Sequence, residues 1–344
     1  MRRFKLIEEF KILVEWLGGG TFDDLQEKLS LLAGCCVEHA ARSHAPAELS
    51  ERGGDEAVWA IVALGKLGGK ELTVHSDLDL VVLYEGDPAD GATFVRHQSF
   101  VEAMQAFLEE PASEGVAYRI DTRLRPEGTK GALAMPLASF RRYLDTRAEA
   151  WERLAWTRCR VLVGSRRLIE EIRAAVTGFV YGPWDVRMPR YMHDIRIRRE
   201  RKLAREGETR LDFKVGRGGL ADIDFALQLI QIREGRQKPE FRVSGTRTLL
   251  ATLPATSYLS DDEGEQLREA YAFLRKIEMF ARMESDSNVS WITPDSAILD
   301  PLGRRLGFDK RPGKHLLGTY RDITEQVRSI YTAVLARLED QGTR

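Results

Sequence analysis

Two short apolar runs, Val58 to Leu64 and Leu78 to Leu83, flank the glycine-rich stretch Gly65-Lys66-Leu67-Gly68-Gly69, and two aspartates, Asp77 and Asp79, stand at the entrance of the second run. Apolar runs of this length bounded by turn residues read as buried strands. The chain is therefore constrained to place two neighbouring central strands around a tight glycine turn, with Lys70 to Val74 leaving room for little more than one turn of helix. Side chains alternate along a strand, so both carboxylates fall on one face.

The rest of the chain sorts around this centre. Residues 1–50 read as a helical lead-in: Phe4, Ile7, Phe10, Leu13 and Val14 recur at helical spacing, and Leu25, Leu29 and Leu32 follow Thr21, an N-cap candidate. Pro46, Gly53 and Gly54 break the pattern between Ala45 and Asp55. Thr93 to Leu108 has helical spacing through Phe94, Val101, Met104 and Leu108, and Val116 to Leu124 alternates as a third strand. This is α+β order, giving an α+β domain over 51–165. After about residue 140 strand signals fade. Amphipathic runs such as Leu267, Leu274, Ile277 and Ala281, then Leu316, Tyr320, Ile323, Val327, Ile330 and Val334, predict a helical bundle over 166–344. No internal repeat occurs and each motif appears once, so any catalytic unit in the chain is single.

Composition narrows the function classes. Of 344 residues, 43% are hydrophobic and 31% charged, and no apolar run approaches the roughly 20 residues that span a bilayer. The N-terminus mixes Arg2, Arg3, Lys5, Glu8, Glu9 and Lys11 with apolar residues, unlike a signal peptide, which predicts a cytoplasmic protein. Fifty-two basic against fifty-three acidic side chains leave a net charge of −1 and no global field for nucleic acid, so any phosphate binding must be local. Cys35, Cys36 and Cys159 lack the spacing of a zinc site or a disulfide framework.

Two anionic side chains two residues apart on one face raise each other's pKa unless a cation sits between them, and hard oxygen ligands of this kind suit Mg²⁺. The glycine turn upstream lets backbone N–H groups approach phosphate oxygens, and Lys66 adds charge. A third carboxylate, Asp121, lies in the predicted third strand, with Arg123 and Arg125 beyond it. If that strand pairs beside the first two, three carboxylates converge next to a phosphate cradle. That is the requirement of two-metal phosphoryl or nucleotidyl transfer.

Gly65-Lys66-Leu67-Gly68-Gly69-Lys70-Glu71, Ser76-Asp77-Leu78-Asp79-Leu80, Asp121-Thr122-Arg123-Leu124-Arg125-Pro126 and Leu211-Asp212-Phe213-Lys214, continued by Gly218 to Phe225, resemble in that order the glutamine synthetase adenylyltransferase family of the nucleotidyltransferase superfamily. The resemblance implies a polymerase-β-like mixed-sheet catalytic domain followed by the helical bundle. It also implies Mg²⁺-dependent transfer of AMP from ATP to a tyrosine of glutamine synthetase, with a PII signalling protein as a further partner. Asp77, Asp79 and Asp121 would be catalytic and hold two Mg²⁺ ions, and Asp121 is the candidate base. Gly65, Lys66, Gly68, Gly69, Ser76, Arg123, Arg125 and Lys214 would contact nucleotide.

Members usually carry one unit that adds AMP and one that removes it by phosphorolysis. Glu71-Leu72-Thr73 followed by Ser76-Asp77-Leu78-Asp79 looks more like the adding unit. The lead-in resembles the family's interdomain segment, which implies that the chain corresponds to part of a longer arrangement. Phosphorolytic removal of AMP and a non-catalytic nucleotide-binding module are the competing readings. Asp224 stands where the family usually has glutamate, Asp222 has no assigned role, and His75 reads as a turn residue. Arg187 to Arg217, with eleven Lys or Arg against five Asp or Glu, reads as a solvated helix face beside an apolar stripe of Met192, Ile195, Ile197 and Leu203, with Lys214 the exception. Trp151, Trp156, Tyr181 and Trp184 read as packing residues.

Overall fold

A computed structural model describes residues 1–46, 58–207, 209–253 and 256–340. The chain divides into two compact units, Met1–Gly182 and Pro183–Arg344. The expected division at 165/166 thus falls inside the first unit, and of the pattern break expected between Ala45 and Asp55, the part from residue 47 on, with the expected 50/51 boundary, lies outside the described residues.

The first unit begins with helices α1 (Arg2–Leu17) and α2 (Phe22–His44). Thr21 Oγ1 accepts the Asp24 N–H at 3.1 Å, the N-cap its position predicts. Helix α2 buries Leu25, Leu29, Ala33, Val37 and Ala40. Helix α1 buries nothing: Phe4, Ile7, Phe10 and Val14 are exposed, so its apolar spacing does not mark a core face.

Strand β1 (Trp59–Ala63) leads into a single helical turn, α3 (Gly65–Gly68), and β2 (Leu78–Tyr84) follows antiparallel to β1. All five side chains of β1 are buried, as expected of a central strand. Helix α4 (Gly91–Glu109), capped by Asp90, is the crossover that lets β3 (Ile120–Asp121) lie parallel to β2. The third strand is far shorter than the Val116 to Leu124 pattern predicts. Strand β4 (Ala134–Pro136) pairs parallel with the far end of β2. Helices α5 (Leu137–Thr146) and α6 (Glu152–Trp156) precede β5 (Arg160–Val163), which pairs antiparallel with β1 through a register shift at Ile61/Val62. This strand lies beyond residue 140, where strand signals fade, because a four-residue segment headed by arginine carries little periodicity. Helix α7 (Arg166–Val180) closes the unit. The sheet is mixed and the class α+β.

The second unit contains α8 (Met188–Arg199), continued by a π-helical turn over Glu200–Ala204, then β6 (Leu211–Asp212), α9 (Leu220–Glu234), α10 (Thr246–Thr252), α11 (Asp261–Ser285), β7 (Trp291–Ile292), α12 (Leu299–Arg305) and α13 (Pro312–Asp340). Strands β6 and β7 form a small antiparallel pair that the sequence pattern does not announce. Helix α13 packs on α8, α9, α11 and α12, burying Leu316, Tyr320, Val327, Ile330 and Val334. Among the described residues no helix is long and apolar enough to cross a membrane.

Candidate active site

The parallel pairing of β2 with β3 places Leu78 opposite Ile120 and Asp79 opposite Asp121. The Leu78 N–H donates to the Arg119 carbonyl at 2.9 Å, and the Leu64 N–H to the Asp79 carbonyl at 2.9 Å, so β2 is held from both sides where it carries its carboxylate. Gly65 opens the α3 turn with φ +54°, and a Cβ built there would lie 2.0 Å from Asp79 Oδ2. Glycine is required twice over, by backbone conformation and by the close approach of the carboxylate. Asp77 precedes the strand, and it, Asp79 and Asp121 are each half-buried.

Arg123 binds Asp121 within one turn. Its backbone N–H reaches Oδ1 at 2.9 Å, and Nε lies 3.0 Å from Oδ1 and 2.9 Å from Oδ2, with Nη2 also on Oδ2. The guanidinium proton is held more tightly than usual, chiefly by the hydrogen bond and charge of Asp121; burial opposes this, and the charges of Asp79 and Asp77 add to it more weakly. All three carboxylates therefore act on one cation. Their oxygens are the donor type that magnesium takes, so the residue set fits that ion in kind. Among the described residues no group of three His, Cys, Asp or Glu side chains is arranged as a metal cluster, and the Asp121 oxygens are engaged by Arg123.

Lys66 Nζ lies 3.2 Å from Thr73 Oγ1 and 3.5 Å from Ser76 Oγ. Ser76 Oγ in turn accepts the Thr73 N–H at 3.2 Å. Thr73, which sequence reasoning passed over as a site residue, thus joins Lys66 and Ser76; only its place in the loop before Ser76 could have signalled it. His75 is exposed in a turn at φ +52°.

The Gly68 and Gly69 N–H groups close the helical turn onto the Leu64 and Gly65 carbonyls at 2.9 and 3.1 Å. A Cβ on Gly68 would meet the Arg158 carbonyl at 1.8 Å, so that glycine packs against the backbone beside β5. Arg160, another residue missed from sequence, donates to the Leu67 carbonyl at 2.6 Å and fixes the end of the turn. Glu71 is buried and ion-paired with Arg158 at 3.3 Å. Arg125 donates to the carbonyls of Gly128 at 3.0 Å and Thr129 at 3.1 Å, and burial pulls its pKa down.

Lys214 belongs to the second unit, with its side chain exposed. Its N–H and that of Val215 donate to the buried Asp212 carboxylate at 3.0 and 2.8 Å, which shapes the turn after β6. Asp222 is fully buried between Arg196 Nε at 2.5 Å and Arg328 Nε at 2.9 Å, and accepts the Gly218 N–H at 2.8 Å. Arg196 is itself fully buried, so the basic run over 187–217 is not wholly a solvated face; Met192 is buried beside it while Leu203 is exposed. Asp224 accepts from Thr246 Oγ1 at 3.1 Å. Trp156 is core, its ring 5.0 Å from Phe140, whereas Trp151, Tyr181 and Trp184 are half-buried.

A family model described as glutamate-ammonia ligase adenylyltransferase matches residues 1–175, and one described as GlnD PII-uridylyltransferase matches residues 190–335. The bifunctional glutamine synthetase adenylyltransferase/adenylyl-removing enzyme of Burkholderia mallei is 31% identical, the match covering 84% of this chain and 33% of that protein. That of Bordetella pertussis is 31% identical, covering 92% and 36%, and that of Streptomyces coelicolor 32% identical, covering 81% and 28%. The chain spans about a third of the length of these relatives.

Proposed function

We propose, since the chain belongs to the glutamate-ammonia ligase adenylyltransferase family, that it transfers AMP from ATP to a tyrosine hydroxyl of glutamine synthetase. The observation that carries this is the register of Asp79 against Asp121, with Gly65 seated on the Asp79 carboxylate. Opposed carboxylates next to a glycine turn suit a site that holds cations against phosphate. The accompanying fold is a polymerase-β-like catalytic domain followed by a helical bundle.

Asp77, Asp79 and Asp121 are the residues to hold Mg²⁺, as two ions. The metal supplies Lewis-acid stabilisation of the triphosphate and the leaving pyrophosphate. The chain's own residues orient the reactants: Lys66 and Ser76, whose side chains lie 3.5 Å apart, approach phosphate oxygens together. Gly68 and Gly69 shape the turn. Arg123 and Arg125 supply further charge to the phosphates.

The tyrosine oxygen bonds to the α-phosphorus, the bond from that phosphorus to the bridging oxygen breaks, and pyrophosphate leaves. The phenolic proton passes to the Asp121 carboxylate. Positioning and electrostatics do most of the work. A PII protein is the regulatory partner, a reading favoured by the similarity of residues 190–335 to the PII-uridylyltransferase model. The compartment is the cytoplasm.

The test is incubation of the chain with Mg²⁺, α-labelled ATP and unmodified glutamine synthetase. Label on one tyrosine, with pyrophosphate released, supports the reading. No label, but phosphate-dependent ADP release from adenylylated glutamine synthetase, assigns the removing direction instead. Neither reaction, with nucleotide binding intact, assigns a non-catalytic module.

A further inference from the structure

We propose that Arg123 is a built-in counter-cation that keeps divalent metal off Asp121 until its guanidinium swings away. This rests on the reading of Asp77, Asp79 and Asp121 as the metal-holding group.

The geometry is specific. One carboxylate receives the backbone N–H, Nε and Nη2 of a residue two positions on, so both its oxygens are engaged. A metal shared with Asp79, its cross-strand neighbour, would have to take oxygens that Arg123 already holds. Arginine stays protonated throughout the physiological range, so its charge leaves the site only if the side chain moves. Movement is easy: the Arg123 side chain is 75% exposed, and its bond to Asp121 lies within a single turn. Asp121, only 15% exposed, is held in β3, so release requires rotation of the Arg123 side chain alone and no rearrangement of the sheet. The three carboxylates are thus kept compatible with one another in the absence of metal. Metal and guanidinium then compete for the same oxygens.

Mn²⁺ binding to the full chain, without nucleotide, read from the electron paramagnetic resonance signal of the free ion, tests this independently of activity. Arg123→Ala and Arg123→Gln should each bind Mn²⁺ on the order of tenfold tighter than wild type, within the ordinary range of coupling between ligands. Arg125→Ala removes the same charge from a guanidinium bonded to the Gly128 and Thr129 carbonyls, and should show no comparable gain. Adding Asp121→Asn to Arg123→Ala should abolish the gain. Equal affinity in wild type and both Arg123 variants, or an equal gain in Arg125→Ala, overturns the proposal while leaving the metal site standing. No Mn²⁺ binding by wild type and Arg123 variants alike removes the metal reading and the proposal with it.

Discussion

Asp79 and Asp121 stand directly opposite each other on adjacent parallel strands, β2 and β3. Like charges directly opposite each other oppose strand pairing, and the Arg123 guanidinium on Asp121 offsets part of that repulsion. Asp79→Asn removes one side of the repulsion, and its thermal midpoint should be no lower than that of wild type. A marked fall in the midpoint would show that Asp79 serves the fold.

Gly65→Ala tests the close approach from the other side. Left-handed backbone costs an alanine about 1–2 kcal/mol, and the added Cβ would displace the Asp79 carboxylate from a distance of 2.0 Å. Urea unfolding should show a loss of roughly 1–3 kcal/mol, with AMP transfer reduced further than the lost stability accounts for. An alanine variant as stable and active as wild type would contradict the seating of Gly65 on Asp79.

In the second unit, Glu278 is fully buried between Arg275 at 2.7 Å and Arg282 at 3.0 Å. Glu278→Gln keeps the volume but leaves two buried guanidinium groups without their counter-charge. The expected cost is about 3–5 kcal/mol, measured as a shift of the chemical unfolding transition. A shift below that of an ordinary surface substitution would mean the arginines are satisfied elsewhere.

Glu263 gives a pH-dependent case. It completes the capping box of α11 with Ser260 and pairs with Arg337 at 2.6 Å. Arg337 is the first cause holding its carboxyl below the ordinary glutamate value, with the Ser260 bonds adding to it against partial burial. A lowered folded pKa contributes stability that is present above the ordinary value and lost as pH falls through the folded one. Glutamine can still form the capping box, so Glu263→Gln isolates the charge. It should lower stability by about 1 kcal/mol at neutral pH, and the difference should close in acid. A difference independent of pH would assign the effect to packing.

The sequence made β1, β2 and α4 legible because each is a continuous apolar run or a strong helical period between turn residues. The three aspartates were legible by their placement at strand ends. Strand β5 was not, since Arg160-Val161-Leu162-Val163 is too short to show a period and is recognisable only by its pairing to β1. The α1 stripe misled because periodicity reports that a helix has an apolar face, not that the face is covered. Arg196 was hidden in a basic run, its partner Asp222 lying twenty-six residues on. The contact of Arg123 with Asp121 was also out of reach, for spacing brings the two residues near each other without saying that the guanidinium turns back onto the carboxylate.

The most direct test of the central claim is a time course of intact and peptide mass for unmodified glutamine synthetase incubated with ATP, Mg²⁺ and either the wild-type chain or its Asp79→Asn and Asp121→Asn variants. Adenylylation of one tyrosine by wild type is expected, with both variants folded and slower by at least about 10²- to 10³-fold, the scale for removing one preorganised charge-stabilising group. A variant that modifies the tyrosine at the wild-type rate would contradict the assignment of the paired carboxylates as the site of the reaction.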